Sequence, residues 1–306
     1  MSYKQFLEEV KAAVQDRLGV GYNVNLQKIS KINGIVLDGL VISEMDKSIS
    51  PTIYLNSYYM CFEQGEPLAN ILEEILSLYG ESGGIAFNDM KKLLDFEWLK
   101  DKVVYKLIQK ETNLELLKDV PAVDFLDLAV VFYLLLDESE DVKMTALIHN
   151  SHMLSWGSTK EELYRLAMEN TPRLLPPVIR TMEEVMCEIM KEHLEELKAE
   201  LLDGLFSSVP QRMPLYILSN QNQINGAGCI LYDGCLETFA AKYESDIVIL
   251  PSSTHEVLLI PDQGMDYAEL QEMVIEINRT EVPEEEVLSD SIYIYKWKIK
   301  KVYLIE

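Results

Sequence analysis

Apolar residues recur at helical spacing over residues 3–18, where Phe6, Leu7, Val10, Ala13 and Val14 share a face and Gly19 closes the segment. The period then shortens to that of strands. In VNLQKISKINGIVLDGLVIS, Asn33-Gly34 lies between two β-rich runs. Both central positions of a tight hairpin need positive φ, so this pair predicts antiparallel pairing of residues 24–32 with 35–43. PTIYLN reads as a third extended piece leading into residues 57–64. Pro67 then fits the first helical position before an apolar face of Leu68, Ile71, Leu72, Ile75 and Leu76.

The middle of the chain changes texture. Short helical patterns over 88–99 give way to DKVVYKLIQK, FLDLAVVFYLLLD and KMTALIHNSHML, which read as strands. The second is apolar on both faces, so it belongs in the middle of a sheet or under cover from two sides. Ser158 with Glu161 three residues on has capping-box spacing, and Pro172 is expected to stop that helix soon after Asn170. Residues 179–202 read as a long acidic helix, with Met182, Val185, Met186, Ile189 and Met190 along one side as a core-packing stripe.

From Pro214 the order is strand (PLYILS), strand (AGCILY), helix (CLETFAAKY), strand (DIVIL), strand (EVLLIP), helix (YAELQEMVIEIN, with Asp266 as N-cap) and a final strand. Short turns join neighbouring strands as often as helices do. The expected fold class is therefore α+β, mainly antiparallel sheets with helices packed on them, in two or three lobes. The lobes are expected over 1–85, 86–205 with the long acidic helix, and 206–306, with 202–214 as the best linker.

Composition narrows the function classes. Of 306 residues, 48% are hydrophobic, the share of an ordinary globular protein. The longest apolar run, around Asp127 to Asp137, falls far short of the roughly 20 residues of a membrane helix. The N-terminus is acidic where a signal peptide would be basic, so a cytoplasmic protein without a membrane partner is expected. With 27 basic against 51 acidic residues the net charge is −24, which repels phosphate backbones and argues against direct nucleic-acid binding. Cys61, Cys187, Cys229 and Cys235 are scattered and none has a histidine near it in sequence, so no metal site and no cofactor are expected. All four read as small buried hydrophobes, Cys61 and Cys187 on the periodicity of their segments.

The runs ISPTIYLNSYYMCFEQGEPLANILEEILSLY, FLDLAVVFYLLL, ALIHNSHMLSWGSTKEELYRLAMENTP, ILPSSTHEVLLIP and MVIEINRTEVPEEEVLSD together resemble a bacterial family of unknown function, domain of unknown function 5688. The resemblance spans nearly the whole chain. It implies relatives but no reaction, ligand or catalytic residue.

No Walker loop, G-x-G-x-x-G, H-E-x-x-H, G-x-S-x-G or EF-hand spacing is present, and GAGC at residues 226–229 does not follow a strand and open a helix as a phosphate loop would. In IHNSH, His149 and His152 are expected at the end of a strand, on opposite faces and independently hydrogen-bonded. With Asn150 between them and Asn220 ahead of QNQING, they are candidate binding residues. In ILPSSTHEVLLIP, residues 251–255 are expected to connect two strands, with Ser252, Ser253 and Thr254 bonding loop backbone groups. The catalytic alternative makes Ser253 a nucleophile with His255 and Glu256 beside it, yet residues two apart on a strand are about 6.6 Å apart at their Cα atoms. The expected function is non-catalytic binding of a protein or small ligand. The alternatives are a hydrolase-like enzyme using that loop and an acidic decoy for a basic nucleic-acid-binding protein.

Overall fold

The computed structural model describes residues 1–44, 52–82, 95–138, 143–193 and 214–305. They group into two compact units, residues 1–99 with 137–144, and residues 100–136 with 145–306. The expected linker at 202–214 lies outside the described residues apart from Pro214. On either side of it, strands share one sheet.

The first unit is a three-stranded antiparallel sheet under helices. Helix α1 (Tyr3–Leu18) starts at a capping box made by Ser2 and Gln5. Strands β1 (Tyr22–Ser30) and β2 (Val36–Glu44) pair in the register Tyr22↔Glu44 to Ser30↔Val36. Asn33 (φ 60°) and Gly34 (φ 73°) both take the positive φ expected of them, within a five-residue connection. Strand β3 (Thr52–Tyr54) adds to β2, and helices α2 (Asn56–Glu63), α3 (Leu68–Ser82) and α4 (Phe96–Leu99) follow. The core joins Phe6, Val10 and Val14 of α1 to Val24, Leu40, Ile42 and Ile53 of the sheet and Ile71 and Ile75 of α3. Cys61 is exposed, contrary to expectation, because Tyr58, Tyr59 and Phe62 fill the inward side of α2.

The second unit holds two sheets. In the smaller, β6 (Leu128–Glu138) lies between β4 (Val103–Gln109) on one side and β5 (Ala122–Phe125) and β7 (Lys143–Leu147) on the other. Leu128 to Leu135 are all buried, as an apolar central strand should be. IHNSH opens a helix rather than ending a strand. Helix α5 (Asn150–Trp156) begins there, and the His149 N–H donates to His152 Nδ1 at 3.1 Å, so an imidazole takes the place of the glutamate or glutamine that reaches back to the N-cap in a capping box.

Helix α6 (Lys160–Leu174) is capped by Thr159, one residue beyond the expected Ser158, with Glu162 N–H on the threonine hydroxyl. It runs through Pro172. A proline so near the C-terminus removes a single interior hydrogen bond, and Thr171 Oγ ties this turn to Tyr105 N–H of β4 at 3.1 Å. Strand β8 (Pro177–Thr181) occupies the start of the segment expected to be one long helix, and helix α7 is described from Met182 to His193. Met186 is exposed rather than packed.

The larger sheet has the order β13-β12-β10-β11-β9-β8 and is antiparallel throughout its paired strands. Its remaining elements are β9 (Tyr216–Asn220), helix α8 (Cys235–Tyr243), β10 (Ile247–Leu250), β11 (Val257–Pro261), helix α9 (Tyr267–Thr280, capped by Asp266 as expected), β12 (Tyr293–Lys296) and β13 (Lys301–Leu304). AGCILY is not a strand. Residues Gly226–Leu231 form a 3-10 helix buried from Gly226 to Ile230. It joins the two sheets, for Tyr105 of β4 donates its hydroxyl to Gly228 O at 3.0 Å and its ring lies over Gly228.

A side chain at Gly226 has no room, because a Cβ there would lie 2.2 Å from Ser219 Oγ, 2.4 Å from His255 O and 2.8 Å from Asn220 N. Two of the three obstacles are backbone. Gly226→Ala is therefore expected to destabilise by about 3 kcal/mol. Gly228→Ala meets only the Tyr105 ring edge, at 3.0 Å, and should cost about 1 kcal/mol. Urea midpoints of the two variants give the comparison, and equal losses would contradict it.

Candidate functional site

Strands β10 and β11 pair with Leu250 opposite Leu258, so residues 251–256 form the connection between them. The polar groups of this loop are turned to structural bonds. The His255 N–H donates to Ser253 Oγ at 3.0 Å and the Ser253 N–H to Glu256 O at 3.2 Å. Thr254 donates its N–H to Glu286 O at 2.8 Å and accepts the Ala227 N–H at 3.2 Å, while His255 O accepts the Ser219 hydroxyl at 2.8 Å. The loop is stitched to β9, to the buried 3-10 helix and to the segment after α9.

The His255 ring has its own partners. Its Nδ1 accepts the Asn225 N–H at 3.3 Å, which puts the proton of the neutral ring on Nε2, 3.6 Å from Glu286 Oε1. Ser253 and His255 thus meet through the serine oxygen and the histidine backbone. No hydrogen bond joins the Ser253 hydroxyl to the imidazole. Glu256 is half-buried, and desolvation raises its pKa, opposed by the charges of Arg180 and His255.

Beside this loop a groove of about 160 Å³ opens on the face of β8 and β9. The register pairs Val178 with Ser219 and Arg180 with Ile217, so strand alternation places all four on one face. Gln221 and Gln223 extend the wall from the loop after β9. The Arg180 side chain is three-quarters buried, and its guanidinium bonds Glu188 Oε2 of α7 at 2.6 Å. Asn220, also at the groove, is committed to the loop's shape. Its Oδ1 accepts the N–H groups of Asn222 and Ile224, and its Nδ2 donates to Ile224 O at 2.7 Å. That holds Gln223 and Asn225 in the left-handed region, each at φ 53°, a conformation that non-glycine residues adopt at some cost.

His149, Asn150 and His152 form a separate cluster. His149 Nδ1 lies 2.7 Å from Asp119 Oδ2, the two imidazoles stand edge to face with centroids 5.4 Å apart, and His152 stacks on Trp156. Asn150 donates its N–H to Asp119 O and its side-chain amide to Lys118 O. Among the described residues no hydrogen bond or ring contact links this cluster to His255. Among them, too, no three His, Cys, Asp or Glu side chains are placed to hold a metal ion.

Arg180, Gln221, Gln223 and Glu286 were not singled out by sequence. Period-2 alternation in PVIRT was the available signal for Arg180, and the acidic helix pattern that follows masked it. Nothing local distinguishes Glu286 from the glutamates beside it.

Burial, and then the charge of His149, hold His152 below 6.5, while Asp119 and a bond to Leu147 act in the opposite sense. The unfolded chain therefore takes up this proton first as pH falls. The contribution is complete above 6.5 and is lost as pH drops through the folded-state value. In an NMR titration of the imidazole protons, His152 is expected to have its midpoint below 6.5, and a midpoint at or above it would contradict the burial argument.

No curated protein and no solved structure matches this chain. A family model described as a family of unknown function (DUF5688) matches residues 3–297, nearly the whole of it. The chain, with both the stitched 251–256 loop and the Arg180 groove inside the matched region, belongs to that family of unknown function.

Proposed function

We propose that this is a non-catalytic binding protein whose β8–β9 groove receives a small polar group bearing a carboxylate or amide, on a free ligand or on a side chain of a protein partner. The observation that carries the reading is a contrast between neighbours. Ser253, Thr254 and His255 spend their polar atoms on the fold, whereas Arg180, Gln221 and Gln223 line an open groove. At about 160 Å³ the groove is smaller than the ~300–1,000 Å³ of sites that enclose a drug-sized molecule, which favours a group the size of one side chain. Arg180 offers a planar fork of donors for a carboxylate, and the amides flanking it match either a carboxylate or an amide. A cytoplasmic setting suits the exposed thiol of Cys61, which a reducing compartment keeps reduced.

Thermal unfolding in the presence of succinate, glutamate and glutamine tests the groove. A ligand at roughly ten times its Kd is expected to raise Tm by about 2 °C, and Arg180→Gln and Gln221→Ala should abolish the rise while leaving the circular dichroism unchanged. A rise that persists in both variants would place binding elsewhere.

The loop gives a second expectation. His255→Ala leaves the Asn225 N–H without its acceptor and should lower stability by about 1 kcal/mol in urea titration, with no turnover of a broad hydrolase substrate panel by either form. Turnover by the natural chain that disappears in His255→Ala would overturn the non-catalytic reading.

A further inference from the structure

The last hairpin concentrates positive charge in an acidic chain. Lys296, Lys298, Lys300 and Lys301 lie together in KWKIKK, within a protein of net charge −24. Two of them are neutralised internally, Lys296 by Asp246 at 3.0 Å and Lys300 by Glu237 at 2.5 Å. Lys298 and Lys301 are exposed and have no ion-pair partner among the described residues.

These two ammonium groups stand at an open strand edge. Among the described residues β13 is the last strand of its sheet and pairs with β12 alone. The Ile305 N–H donates to Ile292 O at 3.0 Å, which fixes the phase of the ladder. Lys301 and Tyr303 exchange bonds with β12, while Val302 and Leu304 turn their N–H and C=O groups outward. Exposed apolar side chains flank the same edge, with Ile299 64%, Tyr303 37% and Leu304 36% accessible. At the turn, a depression of about 500 Å³ is bounded by Trp297, Lys298 and Ile299 on one side and by Glu244, Asp246 and Asp262 on the other; Asp246 is engaged by Lys296 and the Trp297 N–H, and Asp262 by Tyr267 and the Gly264 N–H, while Glu244 is exposed at its rim.

We propose that the β13 edge is a docking strand for an extended acidic polypeptide segment, which adds to the sheet alongside Val302 and Leu304 with its carboxylates at Lys298 and Lys301 and an apolar residue at Trp297 and Ile299. This surface is independent of the β8–β9 groove. Charge decides the occupant. Lysines on an edge discourage pairing with an identical edge, so a second β13 is repelled where an acidic strand is attracted. A nucleic-acid strand would bring many phosphates towards a strongly negative protein, and screening acts only beyond about 8–10 Å, so an acidic peptide with few charges is favoured over it.

Fluorescence anisotropy of the full chain with a labelled peptide of alternating valine and glutamate tests this, with a valine–lysine peptide and an oligo(dT) strand alongside. The acidic peptide alone is expected to bind. K298E/K301E should weaken it about tenfold by turning two attractive pairs repulsive, and V302P about fivefold by removing an outward N–H without touching the β12–β13 bonds. Arg180→Gln should leave it unchanged, which separates this surface from the groove. No binding of the acidic peptide, equal binding of the lysine peptide, binding of oligo(dT) instead, or binding unaffected by both β13 variants overturns the assignment.

Discussion

The approach of backbone to backbone at Gly226 is the contact on which the second unit depends. With no Cβ, the 3-10 helix at residues 226–231 settles against the end of β9 and the loop after β10. The bonds from Ala227 to Thr254, from Ser219 to His255 and from Asn225 to the His255 ring all require that closeness. Two residues further on, Gly228 receives the Tyr105 ring and hydroxyl, so the same turn carries the smaller sheet. The sheets are tied a second time by Asp127, whose carboxylate accepts the hydroxyls of Ser289 and Tyr293. Burial and the nearby Asp127 charge push the Tyr293 phenol far above its usual pKa, so it remains a donor at any physiological pH.

What was legible in the sequence was what local chemistry dictates. Helical periodicity placed α1, Asn33-Gly34 placed the β1–β2 hairpin, and an apolar run too short for a membrane helix placed β6 at the centre of its sheet. The failures have different causes, a tertiary contact in one case and an unusual local one in the others. AGCILY has the apolar content of a strand, but its glycines are there to admit Ser219, His255 and Tyr105. The strand-like approach to IHNSH ends early because the His152 side chain accepts the His149 N–H, the part that a glutamate or glutamine three residues into a helix would ordinarily advertise. Pro172 was a valid stop signal that acts two residues late, since the helix ends at Leu174, and Thr171 beside it is bonded to β4.

The candidate site was legible in part for the same reason. ILPSSTHE announces a hairpin loop able to satisfy its own backbone, and Ser253 and His255 take that role. Their other partners, Ser219, Asn225, Ala227 and Glu286, lie some 30 residues away in either direction, beyond any local pattern. Arg180 stayed hidden because five residues of strand precede an acidic helix whose signal is stronger and longer.

The two features meet at the groove. A surface that binds without reacting needs donors already fixed in place, because each side chain frozen on binding costs about 0.5–1.5 kcal/mol. Here the loop after β9 is fixed twice over, by the Asn220 side chain from within and by His255 from outside, and both positive-φ residues lie between those anchors. Arg180 is fixed by Glu188. On the proposed reading an incoming acceptor must therefore share or displace that carboxylate, which a single hydroxyl or carbonyl does poorly and a bidentate carboxylate does well. The selectivity of the groove then follows from the ion pair that holds its arginine, and the rigidity of its wall from the glycine that lets the loop close.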